Sequence, residues 1–176
     1  MALALVVVAA IYLAYDFRAP IEARIWHLRH GTVTTVGNYS VPVPASWYVE
    51  DWGDGQQILM NLHTNDQTPL KRMKTHASIV LWPGTPVPIE SLNRLTSLNA
   101  DWLRKRGAEP DLQRTFNLDG DILLCTGGKK LDSGRIPDFE PTGWHCKLPE
   151  GLEVLIVATD PDLKQVWDIV SGIRRK

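Results

Sequence analysis

Three histidines, His63, His76 and His145, each sit in an extended stretch and alternate with apolar neighbours. On adjacent strands with matching faces they would converge as nitrogen ligands for a transition metal, with Asp51 or Glu153 completing the set. Spread one to a strand, isolated histidines are more often surface or interface residues. His27 and His30 are three apart and could touch one ion, but no carboxylate or cysteine accompanies them. Cys125 and Cys146 belong to no CxxC motif and cannot form a four-ligand zinc site by themselves. A hydrolase would need a nucleophile, a base and an orienting group. The chain has no G-x-S-x-G, no H-E-x-x-H and no phosphate-cradling glycine loop. Gly127-Gly128-Lys129-Lys130 lacks the remainder of a P-loop, and Asp119 and Asp121 flank a turn. These residues therefore assign no catalytic group, no cofactor and no metal.

The elements that would hold such groups are best read from the C-terminal end. Leu152, Val154, Ile156 and Ala158 share one face of an extended segment, and Asp160-Pro161 is expected to cap the helix after it. Leu163, Val166, Trp167, Val170 and Ile173 then recur at helical spacing, a stripe that must lie on something apolar. Upstream, Thr32 to Val36 and Tyr39 to Val43 read as short strands, and Pro42 puts the second at an edge or an end. Gln56 to Thr64, with Ile58, Met60 and Leu62 on one side, and Thr75 to Trp82 read as further strands. A helix is expected over Ile89 to Arg106, with Leu92, Leu95, Leu98, Trp102 and Leu103 as its apolar face and Gly107 as its stop. Asp119-Gly120 between FNL and DILL is a two-residue hairpin signal. Gly127 to Gly143 reads as a long polar loop, and Glu150-Gly151 turns the chain into the last strand. The count is seven or eight short antiparallel strands with two helices.

Cys125 and Cys146 become neighbours if the chain returns antiparallel to itself so that Gly127 pairs with Trp144. They then form a candidate disulfide in an oxidising compartment, or two reduced, buried thiols in a reducing one.

Hydrophobic content of 44% and charge of 22% suit a folded domain, and a formal net charge of −1 gives no reason to expect a nucleic-acid partner. Met1 to Tyr15 carries no charged side chain. Fifteen helical residues span about 22 Å, short of the roughly 30 Å hydrocarbon core. An uncleaved signal-anchor, a cleaved signal peptide and a core helix compete; the lack of a basic residue before the run and of a cleavage site after it favours the anchor. Residues 1–18 are thus expected to be a transmembrane or signal-anchor segment. Residues 19–31 are expected to form a juxtamembrane amphipathic helix, with Ile21, Ile25 and Leu28 on one face and Arg24, His27, Arg29 and His30 on or flanking the other. Arg18, Arg24 and Arg29 favour a cytoplasmic domain by the positive-inside tendency. The cysteine pair favours export, to the periplasmic or extracellular side, and that orientation is the expectation retained.

The run Tyr39-Ser40-Val41-Pro42-Val43-Pro44-Ala45-Ser46-Trp47, a strand leading to proline and then tryptophan, resembles the entry of Mog1/PsbP-like domains, as does the final strand and helix. The resemblance implies an α+β fold over residues 32–176, an antiparallel sheet flanked by helices as an α/β/α sandwich. It also implies proteins that mostly bind or assist protein complexes, including photosynthetic membrane complexes and a nuclear-transport GTPase. No binding residue of the family is matched.

Two function classes follow. One is a membrane-anchored, non-enzymatic binding or assembly-accessory domain acting on a protein complex, with Trp52, Trp82, Lys129, Lys130, Arg135 and Phe139 as its candidate surface. The other is an exported enzyme or metal-binding protein whose site gathers scattered His and Asp residues.

Overall fold

The computed structural model describes residues 6–7, 18–63, 74–86, 92–129 and 142–176. Its elements are α1 (Arg18–His30), β1 (Val33–Val36), β2 (Tyr39–Pro42), β3 (Tyr48–Gly53), β4 (Gln56–His63), β5 (Lys74–Pro83), α2 (Leu92–Arg104), β6 (Glu109–Leu118), β7 (Asp121–Lys129), β8 (Thr142–Lys147), β9 (Leu152–Ala158), α3 (Asp160–Ser171) and β10 (Arg174–Arg175). The fold is α+β, and every strand pairing in it is antiparallel.

The strands form two sheets, where the sequence reading gave a single count of seven or eight. A seven-stranded sheet runs β3-β4-β5-β9-β8-β7-β6, and a three-stranded one runs β1-β2-β10. β10 has no apolar alternation to announce it. Two arginines extend the chain past α3 and add themselves to β2 opposite Tyr39 and Ser40. β2 is consequently a central strand, and Pro42 is tolerated because it is the last residue, beyond the reach of β10.

Register carries one row of apolar residues across the main sheet: Leu59 opposes Ile79, Ile79 opposes Ile156, and Ile156 opposes Trp144. α3 covers this face with Val166, Trp167 and Val170, Ile173 just past its end adds to them, and Val36, Tyr39 and Val41 of the small sheet with Val43 after it join the same core. On β4 the residue that joins this core is Leu59, on the side away from Ile58, Met60 and Leu62. Gln57 and Asn61 share the Leu59 side, so alternation alone points to the Ile58 side, and Ile58 is buried as well. α3 begins one residue earlier than expected, with Thr159 at the N-cap and its hydroxyl donating to Asp162 Oδ2 at 2.6 Å.

Asp119 and Gly120 both take positive φ, 55° and 98°, as a two-residue hairpin between right-twisted strands requires. Beyond that hairpin the long loop is shorter than expected, because β7 continues through Gly127, Gly128 and Lys129. Gly127 opposes Trp144, and a side chain there would drive into the indole ring. The same register sets Cys125 opposite Cys146, and the two sulfurs are bonded at 2.06 Å.

α1 packs on β3 and β4. Ala23 is buried there, and Trp26 joins the core. His27 clamps the helix: Nδ1 lies 2.6 Å from Gly31 O, and Nε2 lies 2.9 Å from Pro44 O and 3.1 Å from Trp47 O. The side expected to be polar is therefore the docked side. Residues 1–5 and 8–17 lie outside the described residues, and with them nearly all of the expected anchor. Among the described residues no helix is long and apolar enough to cross a membrane.

Candidate functional site

The face of the main sheet opposite α3 collects the polar groups. β8 alternates, so its Trp144 and Cys146 point to the α3 core while His145 and Lys147 point the other way, beneath α2. Glu153 of β9 lies opposite Lys147, and Trp82 of β5 lies opposite Glu153. α2 brings Asn99, Trp102 and Leu103 down onto this face, and Leu103 packs with Ala108, Trp102 and Val157. The expected apolar face of α2 is rotated: Leu98 is 46% exposed, whereas Asn99 is fully buried.

His145, 5% exposed, is fixed on every side. Its Nδ1 lies 2.7 Å from Asn99 Oδ1, and Asn99 Nδ2 donates to Leu124 O at 3.3 Å, which sets the amide orientation and makes Nδ1 the donor. Trp102 stacks on the imidazole at 5.0 Å with planes 9° apart, and Trp82 leans on it at 6.0 Å. The Arg106 guanidinium, two residues past the end of α2, lies 3.6 Å from the centre of the Trp102 ring and stacks on it. Nε2 faces Glu153 Oε2 at 3.5 Å, beyond a good hydrogen bond, and Lys147 Nζ donates to Glu153 Oε1 at 2.6 Å. The Thr126 hydroxyl, opposite His145 in register, is buried without a hydrogen-bond partner.

The His145 ring, and after it the Lys147 ammonium, hold the Glu153 carboxyl down at about 2, against burial, which pushes it up. A carboxyl held below its unfolded value of 4.5 stabilises the fold above that pH and loses the contribution as pH falls from about 4.5 towards 2. Allowing for solvent screening of a partly exposed group, the loss is about 2 kcal/mol. Urea midpoints measured between pH 5 and pH 2.5 are expected to fall more steeply for the parent than for Glu153→Gln, and parallel curves would contradict this.

The network joins α2 to β7, β8 and β9, and Asn99, His145 Nδ1, Lys147 and Glu153 Oε1 are spent within it. Sequence reasoning found His145 and Glu153 and missed Asn99, Trp102 and Lys147. The signal available was a polar residue three and four positions before Trp102 and Leu103. The other histidines do not join the site. Register sets His145 across Leu155 from Val80, four residues along β5 from His76. At about 3.3 Å per residue and about 4.8 Å per strand the backbones are on the order of 16 Å apart, too far to share an ion. His63 is opposite Lys74, farther still. His27 is committed to carbonyl oxygens, and His30 bonds to Trp26 O at 3.0 Å and stacks on the Trp26 ring. Among the described residues no group of three His, Cys, Asp or Glu could hold a metal.

The candidate contact residues are dispersed. Trp52 is 63% exposed next to the β3–β4 turn, on the sheet's edge strand. Trp82 is half-buried and tilted against His145, so less of its ring is open than expected. Lys129 is exposed, five residues along β7 from Leu124, the residue in register with Lys147, Glu153 and Trp82. Lys130, Arg135 and Phe139 lie outside the described residues.

No family model matches this chain, and no curated protein is significantly similar to it. Among solved structures it is similar to the solution structure of cyanobacterial PsbP (CyanoP) from Synechocystis sp. PCC 6803, at 13% identity and a TM-score of 0.47, over 79% of this chain and 87% of that one. No residue role is carried across from that likeness.

Proposed function

We propose that this chain is a membrane-tethered, non-enzymatic accessory domain that docks on a protein partner through the β3–β4 hairpin. The observation that carries the reading is Trp52, a large apolar ring presented to solvent beside a tight turn. Glu50, Asp51 and Asp54 are exposed around it, and Asp51 Oδ1 accepts the Gly53 N–H at 2.8 Å, which stiffens the tip. A rigid, exposed tryptophan ringed by carboxylates suits a partner with an apolar pocket and a basic rim. The tether is Met1 to Tyr15, which carries no charge. Export is supported by the Cys125–Cys146 bond, since such a bond persists in an oxidising compartment.

A photo-reactive phenylalanine analogue at position 52 of the full chain, irradiated in native membranes, is expected to cross-link one dominant protein. Trp52→Ala is expected to weaken co-purification of that protein by on the order of tenfold or more, as loss of an interface hot spot does. Cross-linking no stronger than from position 98 on α2 would overturn the reading.

A further inference from the structure

The face of α1 that the domain leaves open is apolar. Ile21 and Ile25 are nearly half exposed, and Leu28 is 87% exposed. At about 100° per residue these three fall within about 60° of one another, diametrically opposite the docked Ala23, Trp26 and His27. Arg24 and Arg29, both exposed, lie about 60° and 80° to either side of Ile21, while Glu22 is half-buried on the Arg29 flank. The helix is thus apolar on two faces, one spent on β3 and β4, the other bordered by cations. Because His27 and Trp26 fix its inner side, the outer stripe is presented by a rigid body.

From these contacts we infer that the Ile21–Ile25–Leu28 stripe seats on an anionic lipid surface and lays the domain down on the membrane by its α1 side. The inference rests on the tethered reading of Met1 to Tyr15. Ile21 is six positions on from Tyr15, at most about 20 Å of chain, so the stripe is held within that distance of the point where the tether ends. A helix of this pattern buries its apolar side about 5–10 Å deep at the headgroup boundary. Arg24 and Arg29 then lie level with the headgroups, where each cation adds attraction to anionic lipid. A second copy of the chain is a poorer fit: a stable interface buries about 800 Å² per partner, and three partly exposed side chains offer a fraction of that.

The test uses the full chain reconstituted into phosphatidylcholine vesicles containing a quarter phosphatidylglycerol. With the native cysteines bonded, Leu28→Cys supplies a single reactive thiol for an environment-sensitive fluorophore, and Ile122→Cys on the β6–β7 hairpin is the control. Doxyl-labelled lipid is expected to quench the probe at 28 several-fold more than at 122, and Arg24→Gln with Arg29→Gln to reduce that quenching. Equal quenching at both positions in vesicle-bound protein would overturn the seat and leave the tether standing. A probe at 28 shielded from aqueous iodide but untouched by doxyl lipid would show the stripe covered by protein, and would overturn the seat as well. Failure of the chain to float with the vesicles would remove tether and seat together.

Discussion

Trp167→Ala is expected to cost about 3–5 kcal/mol of folding stability, the range for emptying a buried tryptophan site. Trp167 is 7% exposed at the middle of the α3 stripe. Its ring meets Trp144 edge-on at 4.9 Å and Phe116 at 5.3 Å, and the Arg114 guanidinium lies 4.8 Å from its centre. Truncation removes the ring's burial and strips these three neighbours of a contact. Trp144 cannot close the gap, because its own ring occupies the space above Gly127. In a domain of ordinary stability, about 5–15 kcal/mol, this is a large share. The check is the urea midpoint, with the slope unchanged, set against Lys164→Ala, whose exposed pairing with Asp168 contributes under about 1 kcal/mol. Equal midpoints for Trp167→Ala and the parent would show that α3 does not seal the core through this ring.

The parts legible in the sequence are those where one periodicity rules. β9 alternates strictly between buried and half-buried residues, the α3 stripe repeats at helical spacing, and Asp119-Gly120 admits few conformations. Misreadings cluster where two forces compete. β4 is more apolar on its Ile58–Met60–Leu62 side, yet the main core takes Leu59 from the side it shares with Gln57 and Asn61, so its inner face followed from what packs on it. α2 turned to bury Asn99 because a satisfied amide bridging His145 and Leu124 O outweighs leaving Leu98 half-exposed. β10 exists only because the end of α3 delivers it to β2, and Arg175 is held there by Glu150 at 2.7 Å. The polar network under α2 was half legible. His145 and Glu153 stand out on their strands, Lys147 does not until register sets it opposite Glu153, and the helix members are identified only by which face the helix turns inward.

Replacing both Cys125 and Cys146 with alanine is expected to cost about 3 kcal/mol, the chain-entropy value for a loop with a sequence separation of 21. The bond ties β7 to β8, the sixth and fifth strands of the seven, and both residues are fully buried in the core. Exchange with an external thiol therefore requires the strands to open, so reduction under native conditions is expected to be slow and to accelerate in urea. A double variant with the parent's midpoint would contradict the stabilising role.

The membrane-tethered, exported reading is tested most directly on native membranes, with thiols blocked at the moment of lysis. Alkaline carbonate extraction is followed by intact-mass analysis of the chain in pellet and supernatant. The expected result is a chain that stays in the pellet, retains Met1 to Tyr15 in its mass and carries no blocked thiol. A chain released at full mass, or one with both Cys125 and Cys146 alkylated, would contradict it.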